Sequence, residues 1–156
     1  MHASFDSQAK PNMKTSQPTA TPAFIVLPWI ALGSAFGSGC RIMLADVLPR
    51  TEAGTIPLGI LTVNLIGSAL AGALLALALR GRLSAQAVRT RHFLLTGFLG
   101  GFTTFSLFSL QAVQLAEAGH PANAILYVLL TLGGGPAAAW AGFQAVSGPK
   151  ISVGND

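Results

Sequence analysis

The run Gly97-Phe98-Leu99-Gly100-Gly101-Phe102-Thr103-Thr104-Phe105-Ser106-Leu107-Phe108-Ser109 gathers the groups in this chain best suited to handling a small ion. It lies inside a long apolar segment, where glycines and two adjacent threonines interrupt what should be a transmembrane helix. Phe102, Phe105 and Phe108 follow at three-residue spacing. In hydrocarbon, irregular backbone is tolerated only where protein or a water-filled cavity covers it. A polar break in mid-membrane, with aromatics spaced for one helical face, therefore predicts an ion site. Aromatic ring edges carry positive partial charge, so an anion can rest against them while hydroxyls and amides donate hydrogen bonds. The competing reading is a packing or lipid-facing phenylalanine stripe.

Other polar groups fall within apolar stretches, where they are costly and mark function by default. Asn64 sits in Leu61-Thr62-Val63-Asn64-Leu65-Ile66-Gly67. It is open to two readings, an interhelical bond that glues the bundle or an amide offering hydrogens to an anion. Arg41 follows a small-residue run; it can snorkel to the interface, concentrate anions in a vestibule, or pair locally with Asp46. Tyr127 and Thr131 lie one turn apart, and Thr103, Thr104, Ser106 and Ser109 add hydroxyls. Ser and Thr often bond back to their own helix, so their number proves little. Asp46, Glu52 and Glu117 fall near segment ends or loops. No buried acid is thus available for proton-coupled export of cations. No acid–base or nucleophile–base constellation points to an enzyme either.

The elements that must position these groups follow from composition. Of 156 residues, 51% are hydrophobic and 9% charged, against about a quarter charged in ordinary soluble domains. Apolar segments over residues 24–47, 56–79, 92–116 and 122–146 are each long enough to cross a bilayer, which takes about 20 residues. The expected fold is all-α, with four transmembrane helices and the third one broken. One four-span domain covers 24–147, between a disordered polar tail over 1–23 and a short C-terminal tail over 148–156. Residues 24–32 resemble a signal-peptide core, but the long tail before them carries Asp6 and apolar character resumes after Arg41, which favours a retained first helix. Pro57 and Pro121 stand at helix starts, and Gly133-Gly134-Gly135-Pro136 predicts a kink or loosened turn. Gly33 with Gly37, and Gly67 with Ala71, predict close helix packing. Four short, closely packed helices leave little internal volume, so an oligomer is expected. The net charge of +4 comes from cations at membrane edges, without the aromatic-interleaved basic stripe of a nucleic-acid binder. Cys40 is the only cysteine and has no disulfide partner within the chain.

The sequence resembles the small fluoride channels of the Fluc or CrcB family. The resemblance rests on Gly33-Ser34-Ala35-Phe36-Gly37 leading to Arg41, on Pro57-Leu58-Gly59 leading to Val63-Asn64-Leu65-Ile66-Gly67, on the 97–109 run, and on Tyr127 followed by Thr131. It implies an antiparallel dimer of four-helix subunits with fluoride pores. Asn64, Phe105, Phe108, Ser106, Tyr127 and Thr131 would then line the fluoride pathway and Arg41 its vestibule. Backbone carbonyls of Gly100 and Thr103 would hold a structural Na+ at the dimer centre. Four positions depart from the family pattern: Ile60 replaces a threonine, Gln111 an acidic residue and Thr131 a serine, while Gly135 stands where some members carry a hydroxyl. The implied function is passive efflux of cytoplasmic fluoride across the inner (plasma) membrane. The rivals are a non-conducting structural or assembly subunit and, further off, a small multidrug exporter.

Lys10, Lys14, Arg80, Arg82, Arg89, Arg91 and Lys150 fall on the side of the two termini, and Arg50 on the other. That bias predicts cytoplasmic termini. A strongly biased chain needs a homologous partner inserted the other way to make an antiparallel dimer; a homodimer needs tail lysines too far from the first span to count. Single cysteines placed at each terminus of a Cys40-free chain should label from the cytoplasmic face alone in intact cells. Comparable labelling from both faces instead indicates dual insertion and a homodimer.

Overall fold

A computed structural model describes residues 23–48, 54–80 and 88–147, and every regular element among them is helical. Helix α1 spans Ala23–Val47 and α2 spans Leu58–Leu79. The third segment starts as α3, Val88–Arg91, widens into a π-helical stretch over His92–Phe98, and continues as α4, Leu99–Phe102. It resumes as α5, Phe105–Glu117, and α6 spans Pro121–Ser147. Four segments are long and apolar enough to cross a membrane: Phe24–Val47, Leu58–Leu79, Val88–Glu117 and Pro121–Ser147. The first two begin and end within two residues of the ranges read from the sequence. The third starts four residues earlier than expected, at Val88 instead of 92, because the arginine-bearing turn Val88–Arg91 is itself helical. The tails and most of the loop between the second and third spans lie outside the described residues.

Local chemistry explains the helix ends. Pro57 is the N-cap of α2 and Pro121 opens α6, both places where a missing amide costs nothing. Gly119 closes α5 at φ 84°, a left-handed conformation that glycine adopts without a Cβ penalty. Gly54, at φ 85°, lies under the His120 ring, and its carbonyl accepts from Asn123 Nδ2 at 2.7 Å. The loop before α2 is thereby tied to the start of α6. Where the sequence predicts a kink or loosened turn, at Gly133-Gly134-Gly135-Pro136, no change of helix type occurs, and α6 stays α-helical through Pro136. The widened turn occurs at His92–Phe98 instead.

Two backbone-to-backbone contacts organise the bundle. The first joins α1 to the π-helical stretch and α4. Gly33 and Gly37 face the Phe93 and Phe98 carbonyls, while Gly97 and Gly101 face the Ile30 and Ser34 backbone. Ser34 and Ser38 then donate to the carbonyls of Gly97 and Gly101, each at 3.3 Å. The second contact joins α2 to α6, the most extensive pairing of two single elements among the described residues. A Cβ on Gly72 would strike the Ala139 carbonyl, and one on Gly142 would strike the Ala69 carbonyl. Small residues allow this approach where lipid supplies no hydrophobic drive between helices. The sequence reading of glycine as packing holds for Gly33, Gly37 and Gly67.

Because the obstructing atoms at Gly72 and Gly142 are backbone, no side-chain rotation can relieve a substitution. Gly142→Ala should destabilise the bundle by about 1–3 kcal/mol, the usual cost of overpacking. Thermal unfolding of the detergent-solubilised protein should show a lower Tm. Gly133→Ala, at an open position on the same helix, should leave it unchanged.

Candidate functional site

Between α4 and α5 the backbone leaves the helical region. Thr103 (φ −82°, ψ 156°) and Thr104 (φ −148°, ψ 123°) are extended, a conformation that β-branched residues favour. Asn64 on α2 accounts for the stability of this stretch. Its Nδ2 donates to the Thr104 carbonyl at 3.1 Å, and the Thr104 amide donates to its Oδ1 at 2.9 Å. The side-chain amide thus pairs with the peptide group much as a neighbouring strand would. Thr104 Oγ1 accepts the Leu107 amide at 3.3 Å and caps α5.

These bonds release two carbonyls. In a continuous helix the Thr104 amide would bond the Gly100 carbonyl and the Leu107 amide the Thr103 carbonyl. Both donors are diverted, the first to Asn64 and the second to the Thr104 hydroxyl. Gly100 is exposed, and a Cβ there would meet nothing within 4 Å. Gly100 and Thr103 thus carry carbonyls whose helical donors are diverted, oxygen groups of the kind a hard cation prefers. Among the described residues, no group of His, Cys, Asp or Glu could hold a metal.

Asn64, Thr103, Thr104, Phe105 and Phe108 line one wall of a recess of about 240 Å³, and Ser68, Thr131, Leu132 and Gly135 complete it. The phenylalanines do not form the single helical face expected from their spacing. Phe102 precedes the extended stretch and stacks on Phe98 at 5.6 Å between centroids, whereas Phe105 and Phe108 belong to α5 and lie 5.5 Å apart. Phe105 is 74% exposed and Phe108 only 5%. The Phe108 ring meets Tyr127 edge-on at 5.2 Å. Tyr127 is fully buried behind it, in a core with Ile60, Leu61, Leu115 and Ala124.

The hydroxyls named in the sequence are mostly engaged with protein. Tyr127 donates to Gln111 Oε1 at 3.0 Å, and Thr131 donates back to the Tyr127 carbonyl at 2.9 Å. Thr103 donates to the Leu99 carbonyl at 2.8 Å and Ser109 to that of Phe105 at 2.9 Å. Ser106 and Thr104 share a bond of 3.2 Å, so one of their two protons stays uncommitted. Ser106 and Tyr127 stand beside the recess and not in its lining. Arg41, half-buried on α1, is not brought to it either, and among the described residues it forms no ion pair with Asp46. The departures have structural places: Ile60 fills core beside Phe108 and Tyr127, while Gln111 anchors the tyrosine hydroxyl. Sequence reading missed Ser68. Its signal was the four-residue spacing from Asn64, which puts both on one face of α2.

The clasp makes Asn64 sensitive in a defined way. Asn64→Asp keeps an acceptor for the Thr104 amide but sets a carboxylate against the Thr104 carbonyl. Asn64→Ala leaves the Thr104 amide without a partner and takes one bond from its carbonyl. Each variant should lose about 1–3 kcal/mol of stability, the cost of an unsatisfied buried polar group, read as a lower Tm in detergent. A Tm unchanged in both variants would show that the extended stretch does not depend on Asn64.

Residues 28–143 match the family described as "CrcB-like protein, Camphor Resistance (CrcB)". The chain is 43% identical over 120 residues to the fluoride-specific ion channel FluC of Ruegeria sp. (strain TM1040), a match covering 76% of this chain and 92% of the relative. It is 44% identical over 113 residues to the protein of that name from Agrobacterium fabrum (strain C58 / ATCC 33970), covering 72% and 89%. With the one from Coxiella burnetii (strain Dugway 5J108-111) it shares 42% over 113 residues, covering 72% and 90%. With a family match over most of its length and four segments able to span a membrane, this chain is a multi-pass membrane protein and belongs to the CrcB family.

Proposed function

We propose that this chain is a fluoride-specific ion channel that lowers cytoplasmic fluoride by passive efflux. The observation that carries the reading is the recess in which the Asn64 amide and the Thr104 backbone stand beside the rings of Phe105 and Phe108. It offers neutral donors and electropositive ring edges to a small anion. Relatives identical to it at more than two fifths of the aligned positions bear the name of fluoride channel, which supports a channel over an enzyme, a structural subunit or an exporter. Passive flow suffices, because hydrogen fluoride enters cells as a neutral acid and ionises inside, leaving the anion to be released.

In this reading the extended stretch at Thr103–Thr104 lies within the bilayer, covered by a second copy or a homologous partner in antiparallel orientation. The exposed Gly100 and the largely exposed Phe105 ring are consistent with a face that another subunit completes. A sodium ion between subunits would be held by the carbonyls of Gly100 and Thr103 from each, whose helical donors are diverted. It would supply fixed positive charge that joins the subunits. Asn64, Phe105, Phe108, Ser106, Tyr127 and Thr131 would serve the pathway, with Arg41 at its vestibule. The chain would sit in the inner (plasma) membrane with both termini in the cytoplasm.

The test is fluoride release from liposomes containing only this protein. The wild-type chain should discharge a fluoride gradient while retaining chloride. Phe108→Ile, which keeps bulk but removes the ring edge, should slow release by roughly tenfold or more, the effect of losing about 1.4 kcal/mol at the ion. Absence of wild-type release would overturn the channel reading, and normal release in Phe108→Ile would return that ring to packing.

A further inference from the structure

We infer that Ser68 is an ion-binding residue of this pathway, donating its hydroxyl proton to the anion one turn along α2 from Asn64. The inference rests on the fluoride reading above and extends it to a residue that the sequence did not single out.

Ser68 lines the same recess as Asn64, Phe105 and Phe108. Four residues separate it from Asn64, so the two side chains stand one above the other on one face of the helix. It is only half-buried, and among the described residues it makes no hydrogen bond. That sets it apart from Thr103, Thr131 and Tyr127, whose protons are all committed, while of the Thr104 and Ser106 hydroxyls only one proton is uncommitted. Thr103 and Thr131 have given their protons to helix carbonyls, and Tyr127 has given its proton to Gln111. A hydroxyl whose proton is committed presents mainly lone pairs, which repel an anion. Asn64 itself spends one amide hydrogen on the Thr104 carbonyl, leaving one of its two for a ligand. A dehydrated anion needs several donors to offset lost hydration. The wall opposite α5 then offers a second Asn64 hydrogen and the Ser68 hydroxyl, spaced by one turn.

The facing helix keeps this hydroxyl accessible. Gly135 on α6 has no side chain, and a Cβ placed there would lie 3.6 Å from Ser68 Oγ. The separation is an ordinary van der Waals contact, so a small side chain fits at residue 135. Glycine leaves that space to the recess. A serine at that position could put a hydroxyl into the same space from the other wall.

The experiment measures fluoride release from proteoliposomes for the wild type, Ser68→Ala, Ser68→Cys and the double variant Ser68→Ala/Gly135→Ser. Losing a hydrogen bond to a charged group should make Ser68→Ala slow release by roughly tenfold or more, with an unchanged Tm. Ser68→Cys fills the space with a weak donor and should also be slow, which separates loss of the donor from loss of volume. Adding Gly135→Ser should recover most of the rate. Wild-type rates in Ser68→Ala, wild-type rates in Ser68→Cys, or a loss that Gly135→Ser leaves uncorrected would each overturn the assignment. A wild-type chain that releases no fluoride fails the channel reading itself, a result distinct from any of these.

Discussion

The two-point bond between the Asn64 side chain and the Thr104 peptide group is the interaction on which the rest of the site depends. An extended pair of residues inside an apolar bundle would otherwise leave the Thr104 amide with no partner, at several kcal/mol. Asn64 accepts from that amide and donates to the Thr104 carbonyl with one planar group that cannot ionise. That bond frees the Gly100 carbonyl, and the Thr104 it holds in place caps α5 through its hydroxyl, which frees the Thr103 carbonyl. The side chain therefore holds the backbone while also lining the recess. Its Oδ1 and one amide hydrogen hold the backbone, and its remaining hydrogen is available to the recess.

Rigidity is supplied by the small-residue contacts. Where Gly33 and Gly97 bring α1 against the third span, and Gly72 and Gly142 bring α2 against α6, the obstructing atoms are main chain. Main-chain contacts cannot relax as flexible side chains do. A recess between such helices keeps its width, which suits discrimination by a narrow, partly dehydrated path in which lining dipoles replace the hydration shell. The same close packing limits what one chain can enclose.

The distribution of hydroxyl protons explains how so many Ser and Thr residues can surround the site without each becoming a ligand. Backbone carbonyls one turn earlier compete for those protons, and in Thr103, Ser109 and Thr131 they win. Ser68 also lies within a helix, yet its hydroxyl makes no such bond and faces the recess. Donor supply toward an anion is therefore sparse and directional. That makes each uncommitted proton more consequential than the composition suggests.

The sequence by itself determined the membrane-spanning segments, the proline-marked helix starts at Pro57 and Pro121, and the importance of Asn64 and the 97–109 run. Hydrophobic length, missing amides and residue type are local properties, legible without coordinates. Only the tertiary structure decided what those residues touch. It divided the phenylalanines between two helices, because Thr103 and Thr104 are extended and the three-residue spacing no longer measures one face. It put Asn64 against the Thr104 backbone and not simply toward a ligand, placed Tyr127 behind Phe108, and left Arg41 apart from the recess. It also brought Ser68 opposite Gly135. The reason is physical: periodicity says which residues share a face, but the partner a polar atom finds depends on which helix packs there and at what distance.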